Sequence, residues 1–449
     1  MIYDLAIIGA GWAGFNAALH ARALGLKTAL IEKDAIGGTC LNRGCIPAKT
    51  LIQSAKVYSL ARKSKTFAVS LSGDPVVDLS GIQARKEHII AQLRRGMESL
   101  LPGIDVFRGA ARFADNDTVE LDLLGDIDCS GCGRNGVSQR GLKRIRSRYF
   151  LIASGANPLE LAGFEFSRKI LSSNELLSIR ELPPTLLIVG GGVIGCESAG
   201  LFSALGVQVT VAELRPQLLP GMDRDVARKL ENIYKKKGIN VLTGIDAAKL
   251  DIDAYGLVLV SVGRKAELSG LGLEKTGIRM EKGRIVTDDF LNAGVPNIYA
   301  AGDCTVRLLL AHFAGYQGRV AVGNMFCPDS PRRISDEDIP SCIFTDPEIG
   351  SIGLNEEEAK QRGISAEVRK FDFLGSGMAR ILDETEGFIK IVSDTKTGKL
   401  LGACIIGPRA TELIGIMTVA IQSGMTLPKL KEMVFAHPTL SEAIGDALR

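Results

Sequence analysis

Two cysteines, Cys40 and Cys45, stand within GGTCLNRGCIPAKTL, residues 37–51. Thiols spaced this way could ligate a metal, form a structural bridge, exchange electrons or lie inert in a core. Five positions along a regular helix rise about 7.5 Å, whereas a disulfide needs its Cα atoms within about 6.8 Å. A bridge between the two therefore requires Leu41 to Gly44 to leave the regular helix, and Gly37, Gly38 and Gly44 allow such a bend. Pro47 suits the first turn of a helix running on through AKTLIQSAKVYSLARK. Cys45 would then lie at that helix's N-terminus, where the dipole favours a thiolate. Zinc would need four ligands, and no Cys or His cluster stands nearby in sequence. Two inert buried cysteines remain the plain alternative.

The elements around the thiols have their own chemistry. YDLAII leads into Gly9-x-Gly11-x-x-Gly14, then a helical pattern, then an apolar run ending in Glu32. Gly9 permits a tight turn, Gly11 lets the backbone approach a pyrophosphate, and Gly14 lets helix pack on strand. Phosphates would rest on the helix N-terminus, and Glu32 would accept hydrogen bonds from a ribose. The construction recurs as Gly190-x-Gly192-x-x-Gly195 ending in Glu213. Two such units imply two dinucleotides, most simply a flavin and a nicotinamide. A carboxylate at Glu213 suits a free 2′-hydroxyl and repels a 2′-phosphate, which favours NAD over NADP, although Arg215 stands close by.

Composition sets the outer bounds. The chain has 449 residues, 46% hydrophobic and 23% charged, which is globular composition for two to four domains. A net charge of +3, from 54 basic and 51 acidic residues, gives no reason to expect nucleic acid or membrane as partner. The N-terminal MIYDLAIIGAG enters a strand pattern at once, so we expect no targeting segment and a cytoplasmic protein. Nine scattered cysteines do not form a secreted disulfide scaffold. Of four histidines, His437 differs from the rest: it precedes Pro438, a helix-start residue, and Glu442 follows where a carboxylate could orient the imidazole.

Gly37-Gly38-Thr39-Cys40-x-x-x-Gly44-Cys45-Ile46-Pro47-x-Lys49 resembles the active-site motif of the flavin disulfide reductases, and GGTCLNRGCIP is most similar to the dihydrolipoyl dehydrogenases among them. The likeness continues through LIASGANP (151–158), IVGGGVIGCE (188–197), VLVSVGRKAELSGLGLEKTGI (258–278), IYAAGDCT (298–305), LLAHFAGYQGRVAV (309–322), FTDPEIGSIGL (344–354) and HPTLSEAI (437–444). It implies an α/β fold: two Rossmann-like dinucleotide-binding domains plus a C-terminal α+β dimerisation domain. The FAD domain would be discontinuous, 1–150 and 263–335, with the NAD domain at 151–262 and the interface domain at 338–449.

The resemblance also implies roles. Cys45 would be the flavin-facing, charge-transfer thiol, and Cys40 the interchange thiol that meets substrate. Lys49 would lie near the flavin's reactive nitrogen, paired with Glu197. Glu32 would hold the FAD ribose, Ala110 the adenine side, Asp303 the ribityl–phosphate region and Ala311 the flavin ring edge. Lys33, Thr39, Ser154 and Gly155, with Gly263, Leu310 and His312, would complete the cofactor contacts, and His437 with Glu442 would be the acid–base dyad. The implied reaction oxidises dihydrolipoamide and passes its electrons through the Cys40–Cys45 pair and FAD to NAD⁺, in a homodimer served by a lipoyl-bearing carrier, either a 2-oxoacid dehydrogenase acyltransferase or a glycine-cleavage carrier protein. No resident metal is expected.

Alternatives within the family are reduction of glutathione disulfide, which would call for basic residues in place of Glu213, and of mercuric ion, which would call for a further C-terminal cysteine pair where the last cysteine here is Cys404. A non-catalytic flavin-binding regulatory protein would not need Cys40, Cys45, Lys49, His437 and Glu442 together. Two stretches depart from the family pattern. Residues 243–258 are short where a β-meander is usual. Residues 125–149 are long and basic and contain Cys129-x-x-Cys132, read first as a solvated loop and second as a metal or redox pair.

Overall fold

The computed structural model describes residues 2–123 and 142–449. Its backbone contacts group into two compact units: Met1–Thr50, Ser80–Leu159 and Gly263–Asp336 in the first, and Leu51–Leu79, Glu160–Val262 and Glu337–Arg449 in the second.

The first unit is built on parallel pairing. Strand Ile2–Ile8 lies between Thr28–Glu32 and the end of Leu142–Ile152, with Ile8 opposite both Ile31 and Ile152. Its residues are buried almost continuously, as expected for a strand covered on both faces. Strand Asp105–Asp115 begins parallel to Thr28–Glu32 and ends antiparallel to Thr118–Leu123. Leu142–Ile152 makes the reverse passage, so two long strands carry the sheet into a three-stranded antiparallel extension. There the pattern alternates between buried and exposed, with one face on the core. Phe113 and Phe150 meet edge to face at 5.3 Å within that core. Ile298–Ala300 pairs parallel with the far side of Leu142–Ile152, and Asn292–Val295 forms the antiparallel edge.

Glycines set the spacing at the loop. Gly9 has φ +103°, and a Cβ there would stand 2.3 Å from Ala153 O. A Cβ on Gly14 would stand 1.9 Å from Gly9 O. Helix Trp12–Ala23 therefore crosses its strand at a separation that excludes any side chain. It packs against helix Ala311–Phe326 as closely: a Cβ on Gly318 would lie 2.2 Å from Ala13 O.

The second unit holds two sheets. One is parallel, in the order Asn240–Thr243, Gln208–Glu213, Thr185–Val189, Leu257–Val260, Ile170–Leu171, with helices Val193–Ala204 and Arg224–Lys236. It repeats the glycine geometry of the first unit: Gly190 has φ +103°, and a Cβ on Gly195 would lie 1.9 Å from Gly190 O. Where the family pattern has a β-meander, two single-turn 3-10 helices, Ala247–Lys249 and Ile252–Ala254, are capped by Asp246 and Asp251. The other sheet is antiparallel, in the order Ser341–Ile343, Glu348–Gly353, Leu400–Gly407, Phe388–Asp394, Ala366–Asp372, and is covered by helix Ala410–Gln422.

The two sheets lie in one compact unit by backbone contacts, and buried charge helps to join them. Lys390, 5% exposed on strand Phe388–Asp394, lies 3.0 Å from both Asp223 and Asp225. Burial pulls its pKa down, but the two carboxylates outweigh that and leave it raised. Asp223 also caps helix Arg224–Lys236, accepting from the N–H groups of Asp225 and Val226. No described helix is long and apolar enough to cross a membrane.

The middle and last glycines of the second motif should respond differently to alanine. A methyl group on Gly195 meets backbone at 1.9 Å, whereas one on Gly192 meets nothing within 4 Å. We expect Gly195→Ala to lose about 2 kcal/mol or more in denaturant melts. Gly192→Ala should keep wild-type stability and lose pyridine nucleotide affinity in a binding titration.

Candidate functional site

Each glycine loop ends on a buried acid that grips it from behind. Glu32 accepts from Ala10 N at 2.7 Å and from Asp34 N at 2.8 Å. Glu213 accepts from Gly191 N at 2.6 Å and from Arg215 N at 2.7 Å. Burial pushes the Glu32 carboxyl up in pKa, and the two backbone donors work against that. In front of the loops there is room: the atom nearest to a Cβ built on Gly11 is 3.9 Å away. Open backbone at a helix N-terminus, with an acid one strand away, fits a dinucleotide's pyrophosphate and ribose.

The thiols sit beside the first loop. Gly37 at φ +95° and Gly38 at φ +57° turn the chain into a short helix, Gly38–Asn42, which carries Thr39 and Cys40. Arg43 and Gly44 then leave helical geometry, and a new helix, Cys45–Arg62, starts on the second thiol. A Cβ on Gly44 would be 3.0 Å from Thr39 O and 3.5 Å from Cys40 Cα, so a side chain there would crowd the turn. This break is what the spacing required. Both cysteines are thiols, and Cys40 is hydrogen-bonded to Cys45. That bond, then burial, pushes the Cys40 thiol well above its ordinary pKa, while the charge of Lys49 pulls the other way. Cys40 thus holds its proton against Cys45, and a base is needed to free it.

Asp303 follows strand Ile298–Ala300, with Gly302 N donating to Gln317 Oε1 at 2.6 Å just before it. Burial raises the Asp303 carboxyl, and the cations Arg264 and Arg284 lower it. Ser154 and Gly155 follow strand Leu142–Ile152, and Gly155 accepts from Glu267 N at 2.9 Å. Gly263, at φ +142°, accepts from Leu159 N. Leu310 caps the helix whose first turn contains Ala311 and His312. Ala110 is exposed on strand Asp105–Asp115, and Lys33 is paired with Glu267 at 3.2 Å.

Three of the expected catalytic residues belong to the second unit. Glu197 is buried on helix Val193–Ala204 and accepts from Phe344 N at 2.9 Å. His437 Nδ1 lies 2.8 Å from Glu442 Oε2, with the imidazole 78% exposed and the carboxylate 18%. The carboxylate fixes the ring from one side and leaves Nε2 facing outward. Pro438 does not begin a helix. Thr439 donates to Ala436 O at 2.7 Å and holds a turn, and the helix starts only at Glu442. The dyad borders a cavity of about 580 Å³ with Lys431, Phe435 and Arg449 on its walls. Cys129 and Cys132 lie outside the described residues. Among the described residues no group of three or more His, Cys, Asp or Glu is placed to hold a metal ion.

Residues 3–318 match the model of the pyridine nucleotide-disulphide oxidoreductases, and residues 339–448 match that family's dimerisation domain. The chain belongs to this family. Among its relatives, dihydrolipoyl dehydrogenase of Chlamydia pneumoniae is 38% identical, over 98% of this chain and 95% of its own. Dihydrolipoyl dehydrogenase of Bacillus subtilis is 37% identical, over 99% and 97%. Among solved structures, LpdA from Mycobacterium tuberculosis superposes with a TM-score of 0.88 at 26% identity, over 100% of this chain and 99% of its own. A Cu(II) complex of the HOCl-induced flavoprotein disulfide reductase RclA from Escherichia coli gives 0.85 at 27%, with the same coverage.

Sequence reasoning passed over Arg264 and Arg284. Arg264 stood in a quoted stretch, next to Gly263, but nothing in VGRKAE marks its guanidinium as half-buried near Asp303. Arg284 sits in EKGRIV, which reads as an exposed turn, and its partners come from remote segments.

The hydrogen bond from Cys40 predicts a titration. In the reduced protein, Cys40 alkylation should keep rising with pH beyond the ordinary thiol range of about 8.5. Cys45→Ala removes the principal cause, so the Cys40 pKa should fall. Peptide-resolved iodoacetamide labelling across pH measures both, and an unchanged Cys40 profile in Cys45→Ala would contradict this account.

Proposed function

We propose that the protein is a flavin disulfide oxidoreductase of the dihydrolipoyl dehydrogenase type, taking electrons from dihydrolipoamide and delivering them to NAD⁺. The observation that carries this reading is the Cys40–Cys45 thiol pair, hydrogen-bonded across a broken helix beside the first glycine loop. FAD belongs at the Gly9-Gly11-Gly14 loop, with Glu32 at its ribose and Asp303 further along. NAD belongs at the Gly190-Gly192-Gly195 loop, with Glu213 at its ribose. The FAD-binding domain is residues 1–150 and 263–335, the NAD-binding domain 151–262 and the dimerisation domain 338–449. The protein works as a homodimer on a lipoyl-bearing carrier in the cytoplasm.

The chain's residues divide the thiol chemistry as follows. His437 Nε2 takes a proton from one substrate thiol, and Glu442 steadies the imidazolium that results. The substrate thiolate attacks Cys40 of the oxidised pair, breaking the Cys40–Cys45 bond and releasing Cys45 as thiolate. The imidazolium passes its proton to Cys40 and then takes that of the second substrate thiol, whose sulfur displaces Cys40, so the substrate is now a disulfide and the protein has Cys40 as thiol and Cys45 as thiolate. Cys45, on the helix N-terminus, is suited to the ionised form. Lys49 stands one turn further on along the same helix. FAD held at the Gly9-Gly11-Gly14 loop would supply the two-electron chemistry that links the Cys40–Cys45 dithiol to NAD⁺ at the second loop.

A second reading, reduction of a thiophilic metal ion as substrate, draws support from the Cu(II) complex of RclA. Steady-state assays with dihydrolipoamide, glutathione disulfide, mercuric ion and Cu(II), each with both nicotinamides, separate the readings. We expect dihydrolipoamide with NAD⁺ to lead by at least about a hundredfold in kcat/KM, and turnover of a metal ion alone would replace the first reading by the second. Glu213→Gln should narrow the preference for NAD over NADP by removing charge repulsion.

The dimer reading adds a complementation test. If His437 serves the partner's thiols, neither Cys45→Ser nor His437→Ala homodimers turn over normally. Equal reassortment makes half the dimers hybrid, each with one intact site of two, so about a quarter of wild-type activity should return. Lipoamide-dependent NADH oxidation after joint dissociation and reassembly measures it, with hybrids verified by mass. Recovery no greater than the separately treated mutants would place His437 with its own chain or outside catalysis.

A further inference from the structure

The Arg284 guanidinium makes three bonds, all to backbone carbonyls. Nη1 donates to Asp303 O at 2.6 Å and to Thr305 O at 3.3 Å, and Nη2 donates to Arg264 O at 2.6 Å. The fork therefore ties together two segments more than thirty residues apart, 263–266 and 302–305. The second carries Asp303, assigned above to the flavin, and the first carries Gly263, expected among the cofactor contacts. The backbone around Arg284 is tied to the same place: Ile285 N donates to Cys304 O at 2.9 Å, and Val306 N donates to Ile285 O at 3.2 Å. Arg264, held by Arg284 through its carbonyl, turns its own guanidinium to Ala156 O.

We propose that Arg284 is a positioning residue for the flavin: its three-way grip fixes the Asp303 loop against the Gly263 turn and presents the Asp303 carboxylate to the cofactor. This rests on the flavin assignment of the Proposed function and not on its substrate. The grip needs a planar group with several donors in fixed directions, which lysine lacks although it keeps the charge. Two effects can therefore be told apart. If Arg284 acted only as a cation near Asp303, lysine would replace it. If it acts as a three-way tie, lysine fails.

The test titrates apoprotein with FAD and follows the visible spectrum of the bound flavin in wild type, Arg284→Lys and Arg284→Gln. Apoprotein Tm and NADH binding are recorded alongside. We expect the FAD Kd to rise about tenfold in Arg284→Lys and more in Arg284→Gln, with an altered flavin band shape and unchanged NADH affinity. FAD binding within twofold of wild type in Arg284→Lys, with a wild-type spectrum, overturns the proposal. Weaker binding with an unchanged spectrum and a lower apoprotein Tm assigns Arg284 to general stability and overturns it as well. If Arg284→Gln does not fold, Arg284→Lys alone decides. A wild type that holds FAD but does not turn over dihydrolipoamide strikes the substrate reading and leaves this one standing.

Discussion

No side chain fits between the first turn of a dinucleotide helix and the end of its strand, and much of this molecule follows from that. At Gly14 and Gly195 even a methyl group would sit 1.9 Å from the carbonyl of the glycine five residues earlier. Contact that close aims the helix N-terminus over the strand end. It also brings the neighbouring strand's acid within reach of the loop, so Glu32 and Glu213 bond to Ala10 and Gly191. Loosening the contact would remove the anion site and the acid's grip together.

The thiol pair depends on a second kind of break. A continuous helix from Gly38 to Arg62 would hold Cys40 and Cys45 apart, on different faces. The interruption at Arg43 and Gly44 restarts the helix on Cys45 and lets the two sulfurs meet. One cysteine thereby gains a helix dipole, and the other gains a hydrogen bond that keeps it protonated. The asymmetry between the thiols is thus a product of backbone geometry acting on two identical side chains.

What could be read from the sequence was what local spacing encodes. The glycine loops with their acids, the helix start at Cys45, the nearness of Glu442 to His437 and the short 243–258 stretch each depend on residues close in the chain. The start of the last helix was misjudged at Pro438, because a turn held by the Thr439 hydroxyl outweighs proline's preference for a first helical turn. Arg284 and Lys390 were illegible for a different reason. Their partners lie in remote segments, and a charged residue in a polar stretch looks the same in sequence whether it ends in water or in a cage of carbonyls.

The pair of Asp223 and Lys390 also constrains how the protein can vary through descent. Asp223 is at once a helix cap and a counter-ion, and Lys390 has almost no water to turn to. Losing Lys390 alone strands the buried Asp223 carboxylate, at a cost of about 3–5 kcal/mol, whereas losing Asp223 alone leaves Lys390 with Asp225, also 3.0 Å away. A lineage drifting one substitution at a time would meet its higher barrier on the lysine side of this pair. Aspartate at 223 and lysine at 390 should therefore be inherited as a linked trait, persisting together for reasons of accessibility between genotypes as much as for any advantage of the ion pair itself.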